Sequence, residues 1–400
     1  MRIIIIGAGS YQVPAIQRVR ALGHEAYCVD FKAGQPGFGY ADGFRIIDVR
    51  DKEACLAYAA ELNIDGVLSR GATLTLPTVS YIAQRMGLPG LPMETSVLSM
   101  NKWAIRERLA ACGLNIAGKS KVFHSIDETR DYEFTYPFVV KPCDGSGSKG
   151  VNIVSEPEQV FDALSNSLAS ARKEEVYVEP YISGMEFSVE CFSCNGQVYV
   201  YSIVKTDFYW QEEYPVYCQT TYKDINEKDQ IMVEAEAIKA VKALDVSFGP
   251  VNLDLIVSSE DHKPYIIDVG IRNGQNLLAS HIIPYSRGVD ELDQCIYLCV
   301  GLPVDPTPIR KKYISSRLLI YPPGVINNIL PMDDLIGRDH IVDIILRKKK
   351  GDRLNRYQVK SDICGWVLVE GDSPEEAFAW SSRAWETLRD YIIIDSKHNV

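Results

Sequence analysis

The chain has no run of apolar residues long enough to cross a bilayer, which takes roughly 20 in a row. It has no excess of cations either: 42 Lys and Arg stand against 53 Asp and Glu, a formal net charge of −11. That balance excludes a general nucleic-acid binder, whose surface must be cationic, yet leaves room for a local basic pocket. The opening MRIIIIGAG lacks the charged n-region, the longer apolar stretch and the small-residue cleavage site of a secretory signal. A cytoplasmic location, away from membranes, is therefore expected. Ten cysteines are present without the pattern of a metal site. Cys191 and Cys194 form one CxxC, and no second pair or His pair follows at zinc spacing. Buried, reduced thiols are the expectation. No internal repeat or low-complexity linker interrupts the sequence.

What is present suffices for a large core: 46% of the 400 residues are hydrophobic and 24% charged. A single core rarely grows past about 250–300 residues, so more than one domain is expected. Over the first hundred residues strand and helix signals alternate. The runs RIIIIGAGS, HEAYCVDF, FRIID and DGVLS are separated by helical patterns such as DKEACLAYAAELN and TLPTVSYIAQRMG. This predicts a doubly wound α/β domain over 1–100. A helix from Asn101 to Cys112 follows, closed by Gly113. The pattern then changes to short strands in quick succession, broken by the helical segment PEQVFDALSNSL, which predicts an α+β region with antiparallel pairing over 101–310. Within it, a smaller lobe spans about 118–185. From 311 to 400 strands and a closing helix, SPEEAFAWSSRAWETLRDYI, suggest a small α+β lobe.

Four stretches carry candidate chemistry. In the first, Gly7, Gly9 and Gln12 form a dinucleotide fingerprint whose third glycine is missing, and Asp30 ends the second strand near the position of a ribose partner. A tight strand-to-helix turn explains these glycines, so a nicotinamide-dependent oxidoreductase is the weakest reading. In the second, FVVKP places Lys141 at the end of an apolar strand. A loop of glycine and serine follows (Gly145, Ser146, Gly147, Ser148, Lys149, Gly150), and a strand resumes at Val151. Flexible glycines can turn backbone N–H groups towards phosphate oxygens. No Walker lysine follows Gly150 and no helix comes next, so the loop is a flap over phosphates or an ordinary hairpin.

In the third stretch, Glu179, Tyr181, Ile182 and Glu186 surround a turn where backbone could meet an adenine edge and Glu186 a ribose. The fourth is a hairpin. Strand alternation puts Asn252 and Asp254 on one face of its first strand, and Asp268, Gly270 and Arg272 on one face of the second. With the turn centred near Asp261, Asp254 opposes Asp268 and Asn252 opposes Gly270. Opposed carboxylates are destabilising unless something cationic sits between them. Magnesium held by one or two carboxylates and substrate phosphates is the natural filler. Arg272 then reaches the same place and could stabilise charge on a transferring phosphoryl group.

In this order, over about residues 2–276, the features resemble the ATP-grasp superfamily, in particular its carboxylate–amine ligases and their purine-biosynthesis and biotin-carboxylase relatives. The resemblance implies an N-terminal pre-ATP-grasp domain, ATP-grasp lobes with antiparallel sheets, and a small C-terminal lobe. It implies that Lys102 and Lys141 contact nucleotide phosphates and that Ser146, Gly147, Ser148 and Gly150 belong to the flap. It further implies that Glu179, Tyr181, Ile182 and Glu186 meet the nucleoside, that Asp254 and Asp268 bind Mg2+ (with Mn2+ as an alternative), and that Arg272 with Lys141 is catalytic. The chain departs from the family at one point. The last strand reads Asp268-Val-Gly270-Ile-Arg272 where the family has Glu-x-Asn-x-Arg. Gly270 cannot ligate a metal, and Asn252 across the hairpin is the candidate to supply the missing oxygen.

The implied activity is ATP-dependent activation of a small carboxylate as an acyl phosphate, captured by an amine with release of ADP and phosphate. Bicarbonate-dependent carboxylation of an amine through carboxyphosphate, and a nucleotide-binding protein that has lost turnover, are the alternatives. Arg70 in SRGAT is a candidate anchor for a substrate carboxylate or phosphate. Lys205, with the aromatic stretch Phe208-Tyr209-Trp210, is a candidate part of the acceptor pocket, or else of a surface loop. Self-association into a homo-oligomer is left open.

Overall fold

The computed structural model describes residues 1–145, 149–211, 214–274, 277–358 and 362–395. The chain forms two compact units. One gathers Met1–Val200, Ile231–Asn276 and Glu291–Pro306; the other gathers Tyr201–Gln230, Leu277–Asp290 and Thr307–Val400.

The first unit opens with a parallel four-stranded sheet in the order Gly43–Ile46, Glu25–Asp30, Arg2–Ile6, Gly66–Leu68. The isoleucine run at its start is buried on both faces, as a parallel strand between helices must be. Ile3 and Ile5 pack with Ala15, Ile16 and Val19 of the helix Val13–Ala21, and with Ile296 and Cys299. Ile4 and Ile6 pack the other way, against Tyr58, Ala59, Val79 and Ile82. All four isoleucines are fully buried.

Two antiparallel sheets complete the unit. The first orders Lys121–Phe123, Val176–Pro180, Phe138–Pro142 and Asn152–Val154 over a core of Phe123, Phe138, Val140 and Leu164. The second orders Pro264–Gly270, Gly249–Ser258 and Gly184–Cys194. The helix Lys102–Ala111 starts where Asn101 accepts a hydrogen bond from the Ala104 N–H at 3.0 Å, a side-chain cap that fixes the position of Lys102. The Lys102 N–H donates to the Cys143 carbonyl at 2.7 Å, which holds this helix start against the end of the Phe138–Pro142 strand.

In the second unit the Gln197–Gln211 strand pairs with Tyr214–Thr221, followed by Tyr313–Leu319, Gly365–Gly371 and Ile341–Leu346 in antiparallel order. The helix Pro374–Leu388 buries Ala377, Ser381, Ala384 and Leu388, and its start is capped by the Ser373 hydroxyl. Phe208, Tyr209 and Trp210 lie on the paired strand and not in a loop, with Phe208 and Trp210 more than half exposed. All ten cysteines are unpaired thiols; all but Cys112 and Cys295 are buried. Among the described residues no helix is long and apolar enough to cross a membrane.

Candidate active site

The glycines of the first turn have structural duties. Gly7 sits at φ +105°, which favours glycine. The Gln12 side chain fills the turn and donates to the Arg70 carbonyl at 2.6 Å. The Asp30 carboxylate accepts from the Ala8 N–H at 2.9 Å and from Gln35 at 3.1 Å, so local groups already use it.

The remaining motifs meet in the antiparallel part of the same unit. A cleft of about 230 Å³ is lined by Lys102, Lys141, Gly145, Lys149, Glu179, Tyr181, Ile182, Glu186, Asp254 and Asp268. Its apolar walls include Val139, Val151, Ile153 and Ile256. Adjacent charged groups over an apolar slot suit a ligand with one flat apolar end and one strongly anionic end. Ser146, Gly147 and Ser148 lie outside the described residues. Gly150 has φ +73°, and a Cβ there would come within 2.6 Å of Ser170, so its place in the loop requires glycine.

The hairpin register agrees with the sequence arithmetic: Asn252 pairs with Gly270 and Asp254 with Asp268. The two carboxylates respond differently to being opposed. Burial pushes Asp254 up to about 6, and the charges of Asp268 and Glu186 push the same way. Burial also raises Asp268, but Lys102, through charge and a hydrogen bond, with Lys141 and Arg272, outweighs it and holds Asp268 below the usual range. One site thus contains a carboxylate short of positive charge beside one well supplied with it. Because folded Asp254 keeps a proton that the unfolded chain loses near 3.8, its contribution to stability should fall as pH rises from about 4 to about 6. In metal-free protein, Asp254→Asn should gain stability relative to wild type across that window, by roughly 2–3 kcal/mol at pH 7. Chemical denaturation at pH 4 and pH 7 measures this; an unchanged difference between the two proteins would contradict it.

Glu179 is almost fully buried, and its carboxylate is held from two sides, by Arg106 at 2.5 Å and Lys141 at 2.6 Å. Lys141 also donates to the Ile267 carbonyl at 3.1 Å. The Glu179 side chain, expected at an adenine hinge, is therefore a clamp for Lys141. The Tyr181 N–H is bonded to the Pro137 carbonyl at 3.1 Å, so a base edge would meet the neighbouring backbone.

Arg272 does not line the cleft. It lies next to it, close enough for its charge to act on both Asp254 and Asp268. Its guanidinium folds over Gly270: a Cβ on Gly270 would lie 3.1 Å from Cζ and 3.2 Å from Nη2. A side chain at 270 would therefore crowd the guanidinium by a few tenths of an ångström.

Two residues escaped the sequence reading. Arg106 lies one turn after Lys102 on its helix, so i, i+4 spacing could have marked it. Glu190 alternates with Glu186 and Ser188 on the Gly184–Cys194 strand. It accepts from the Gly274 N–H at 2.5 Å and from Asn252 Nδ2 at 3.0 Å, tying down the turn after Arg272. Burial pushes its carboxyl well up, the charge of Glu291 adds to that, and the Gly274 N–H opposes it. Asn252 Nδ2 also donates to Ser188 at 2.9 Å, which orients the amide with Oδ1 turned away from these acceptors.

Arg70 is buried and not a surface charge. One Nη donates to the Tyr11 carbonyl at 2.5 Å, and its Nε has no hydrogen-bond partner. Burial lowers its pKa, opposed by Glu291 and Glu190 among others. Lys205, in the second unit, is engaged by Asp207 at 3.1 Å and by Asp224. Among the described residues no group of three or more His, Cys, Asp or Glu forms a metal cage. Four carboxylates, Glu179, Glu186, Asp254 and Asp268, line the cleft, and of these Asp254 and Asp268 are directly opposed across the hairpin.

Residues 99–274 match the ATP-grasp domain, so the chain contains a domain of that kind over this stretch. Residues 317–391 match the L-amino acid ligase C-terminal domain 2, so the domain that follows is of that kind. The fold is shared with phosphoribosylglycinamide synthetase from Anaerococcus prevotii, at TM-score 0.78, 21% identity and 99% coverage of both chains. It is shared equally with L-amino acid ligase from Bacillus licheniformis, at TM-score 0.77, 23% identity and 99% coverage of both. A D-alanine–D-alanine ligase of Geobacter sulfurreducens is 37% identical over 116 residues, 28% of this chain and 36% of that protein. Matches to several such relatives span 36 to 48% of the relatives' length. The homologues include ligases that form C–N bonds.

Proposed function

We propose that the protein is an ATP-dependent carboxylate–amine ligase, which activates a small carboxylate as an acyl phosphate and passes it to an amine. The observation that carries this reading is the convergence of Lys102, Lys141, Asp254 and Asp268 on one cleft, with Arg272 beside it. The match of the last domain to L-amino acid ligases favours amino acids as the substrates.

In this reading Lys102 and Lys141 neutralise the nucleotide phosphates, with Glu179 and Arg106 holding Lys141 in place. Glu186 accepts from the ribose, and the backbone at Tyr181 and Ile182 faces the base. The residues present fit a divalent cation: Asp254 and Asp268 are opposed hard oxygen donors, and Asp254 carries charge that a cation would relieve. Mg2+, or Mn2+ in its place, would be held by Asp254, Asp268 and Asn252 Oδ1, and would offset phosphate charge when bound. Arg272 stabilises the charge that builds on the γ-phosphoryl group as the carboxylate attacks. The acyl phosphate is then attacked by the amine, with phosphate leaving. The flap from Gly145 to Gly150 keeps water from the acyl phosphate.

The test is ADP release across a panel of L-amino acids, singly and in pairs, with bicarbonate as a separate arm and mass spectrometry of the products. Release that requires an amino acid and yields an amide of two substrates is expected. Release with bicarbonate alone would replace amide ligation by carboxylation, and no release with any carboxylate would leave a nucleotide-binding protein without turnover. Asn252→Ala should raise the Mg2+ concentration needed for half-maximal turnover several-fold; unchanged magnesium kinetics would remove Asn252 from the metal site.

A further inference from the structure

The second unit contains a cavity of about 560 Å³, larger than the nucleotide cleft and formed without any residue of it. Its floor is Arg317 on the Tyr313–Leu319 strand, and one wall is Trp385 on the helix Pro374–Leu388. Arg317 is 3% exposed. Among the described residues its one side-chain hydrogen bond runs from Nη1 to the Ser382 hydroxyl at 3.1 Å, and its guanidinium carbon lies 5.8 Å from the Trp385 ring centre. Among the described residues it forms no ion pair. Burial lowers its pKa, and the charges of Cys218, Tyr209 and Glu386 oppose that without overcoming it.

A guanidinium offers five donors in a planar fork, and burying one without a carboxylate is costly. Of the other buried arginines, Arg106 is paired with Glu179 at 2.5 Å, while Arg70 donates to the Tyr11 carbonyl at 2.5 Å. At Arg317 the neighbouring space is a cavity. The rest of the lining narrows the chemistry of an occupant. Trp385 and Tyr321 meet edge to face at 5.1 Å and form an aromatic wall, with Tyr321 anchored by its hydroxyl to the Leu388 carbonyl at 2.8 Å. Glu386, Arg389 and Asp390, on and just past the same helix, are exposed members of the lining, two acids and one base.

We propose that this cavity is a binding site for a small carboxylate with an apolar body, an amino acid whose carboxylate pairs with Arg317 while its side chain lies on Trp385 and Tyr321. The ammonium group then faces Glu386 and Asp390 at the mouth. The site is separate from the nucleotide cleft in sequence and lining, so it serves as an effector site, and the inference does not rest on the activity proposed above.

Calorimetric titration of the nucleotide-free full chain with L-phenylalanine, 3-phenylpropionate and 2-phenylethylamine tests it. Saturable binding of the first two is expected, with none of 2-phenylethylamine, which lacks the carboxylate. Arg317→Met should weaken L-phenylalanine binding at least tenfold, whereas Arg272→Met leaves it unchanged. Asp390→Asn should weaken L-phenylalanine but not 3-phenylpropionate. Thermal unfolding supplies an independent readout. Because the guanidinium is buried without an ion pair, Arg317→Met should melt no lower than wild type, and L-phenylalanine should raise the Tm of wild type and of Arg272→Met but not of Arg317→Met. The proposal is overturned if no probe binds below 10 mM, on the order of the weakest useful affinities. Retention of binding in Arg317→Met, or loss in Arg272→Met, overturns it equally.

Discussion

Arg272→Met should lower kcat by two to three orders of magnitude while the Kd for ATP changes by less than about threefold. The asymmetry follows from position. Arg272 stands outside the lining of the cleft, so it adds little to holding the ground-state nucleotide. Its charge reaches Asp254 and Asp268, where charge would build as the γ-phosphoryl group moves. Gly270→Asn provides the complementary case. The added Cβ alone would press on the guanidinium at 3.1 Å, so Arg272 has to give by a few tenths of an ångström and its seat is disturbed. That variant should lose turnover in the same direction as Arg272→Met, despite gaining a potential metal-ligating oxygen. Steady-state kinetics with a separate nucleotide titration distinguish the two quantities. A rise in kcat for Gly270→Asn would show that the missing ligand, and not the seat of Arg272, limits the reaction.

The second large effect is expected at Glu179. Replacing it with Ala leaves Arg106 and Lys141 as buried cations without their shared carboxylate. Removal of one partner from a buried ion pair costs about 3–5 kcal/mol. Glu179→Ala should therefore be among the least stable single variants of the first unit. It should also bind ATP at least tenfold more weakly, since Lys141 would lose the contact that orients it. Glu179→Gln keeps the shape and can still accept from one cation, so it should fall between the two. Denaturation midpoints and nucleotide affinity, measured on the three proteins, check this. Stability equal to wild type in Glu179→Ala would mean that the clamp contributes nothing.

The parts of the site that were legible in the sequence are those fixed by local periodicity. Strand alternation put Asn252 with Asp254 and Asp268 with Gly270, and antiparallel arithmetic matched them in pairs. The structure reaches those pairs through an irregularity between Asp254 and Leu255. The tip of the hairpin pairs Val257 with Pro264, one step off a centre at Asp261, and the shift restores the register. Residue chemistry marked Lys102 and Lys141, because a lysine at a helix start and one at the end of an apolar strand have few structural reasons to be there. What the sequence hid were partners chosen across long separations. Nothing local says that Glu179 will meet Arg106, 73 residues earlier, or that Glu190 will hold the Gly274 N–H. Arg70 and Lys205 show the same limit. Their residue types suggested ligand contacts, and their surroundings, a backbone carbonyl in one case and two aspartates in the other, were set by tertiary packing.

The central claim is that a substrate carboxylate attacks the γ-phosphorus of ATP in the cleft lined by Lys102, Lys141, Asp254 and Asp268. Turnover of amino acids labelled with 18O in the carboxylate tests it directly. Attack by the carboxylate must carry one labelled oxygen into the released phosphate, and mass spectrometry of that phosphate should find it. Phosphate that takes its new oxygen from water alone, during turnover that needs the amino acid, would contradict the claim.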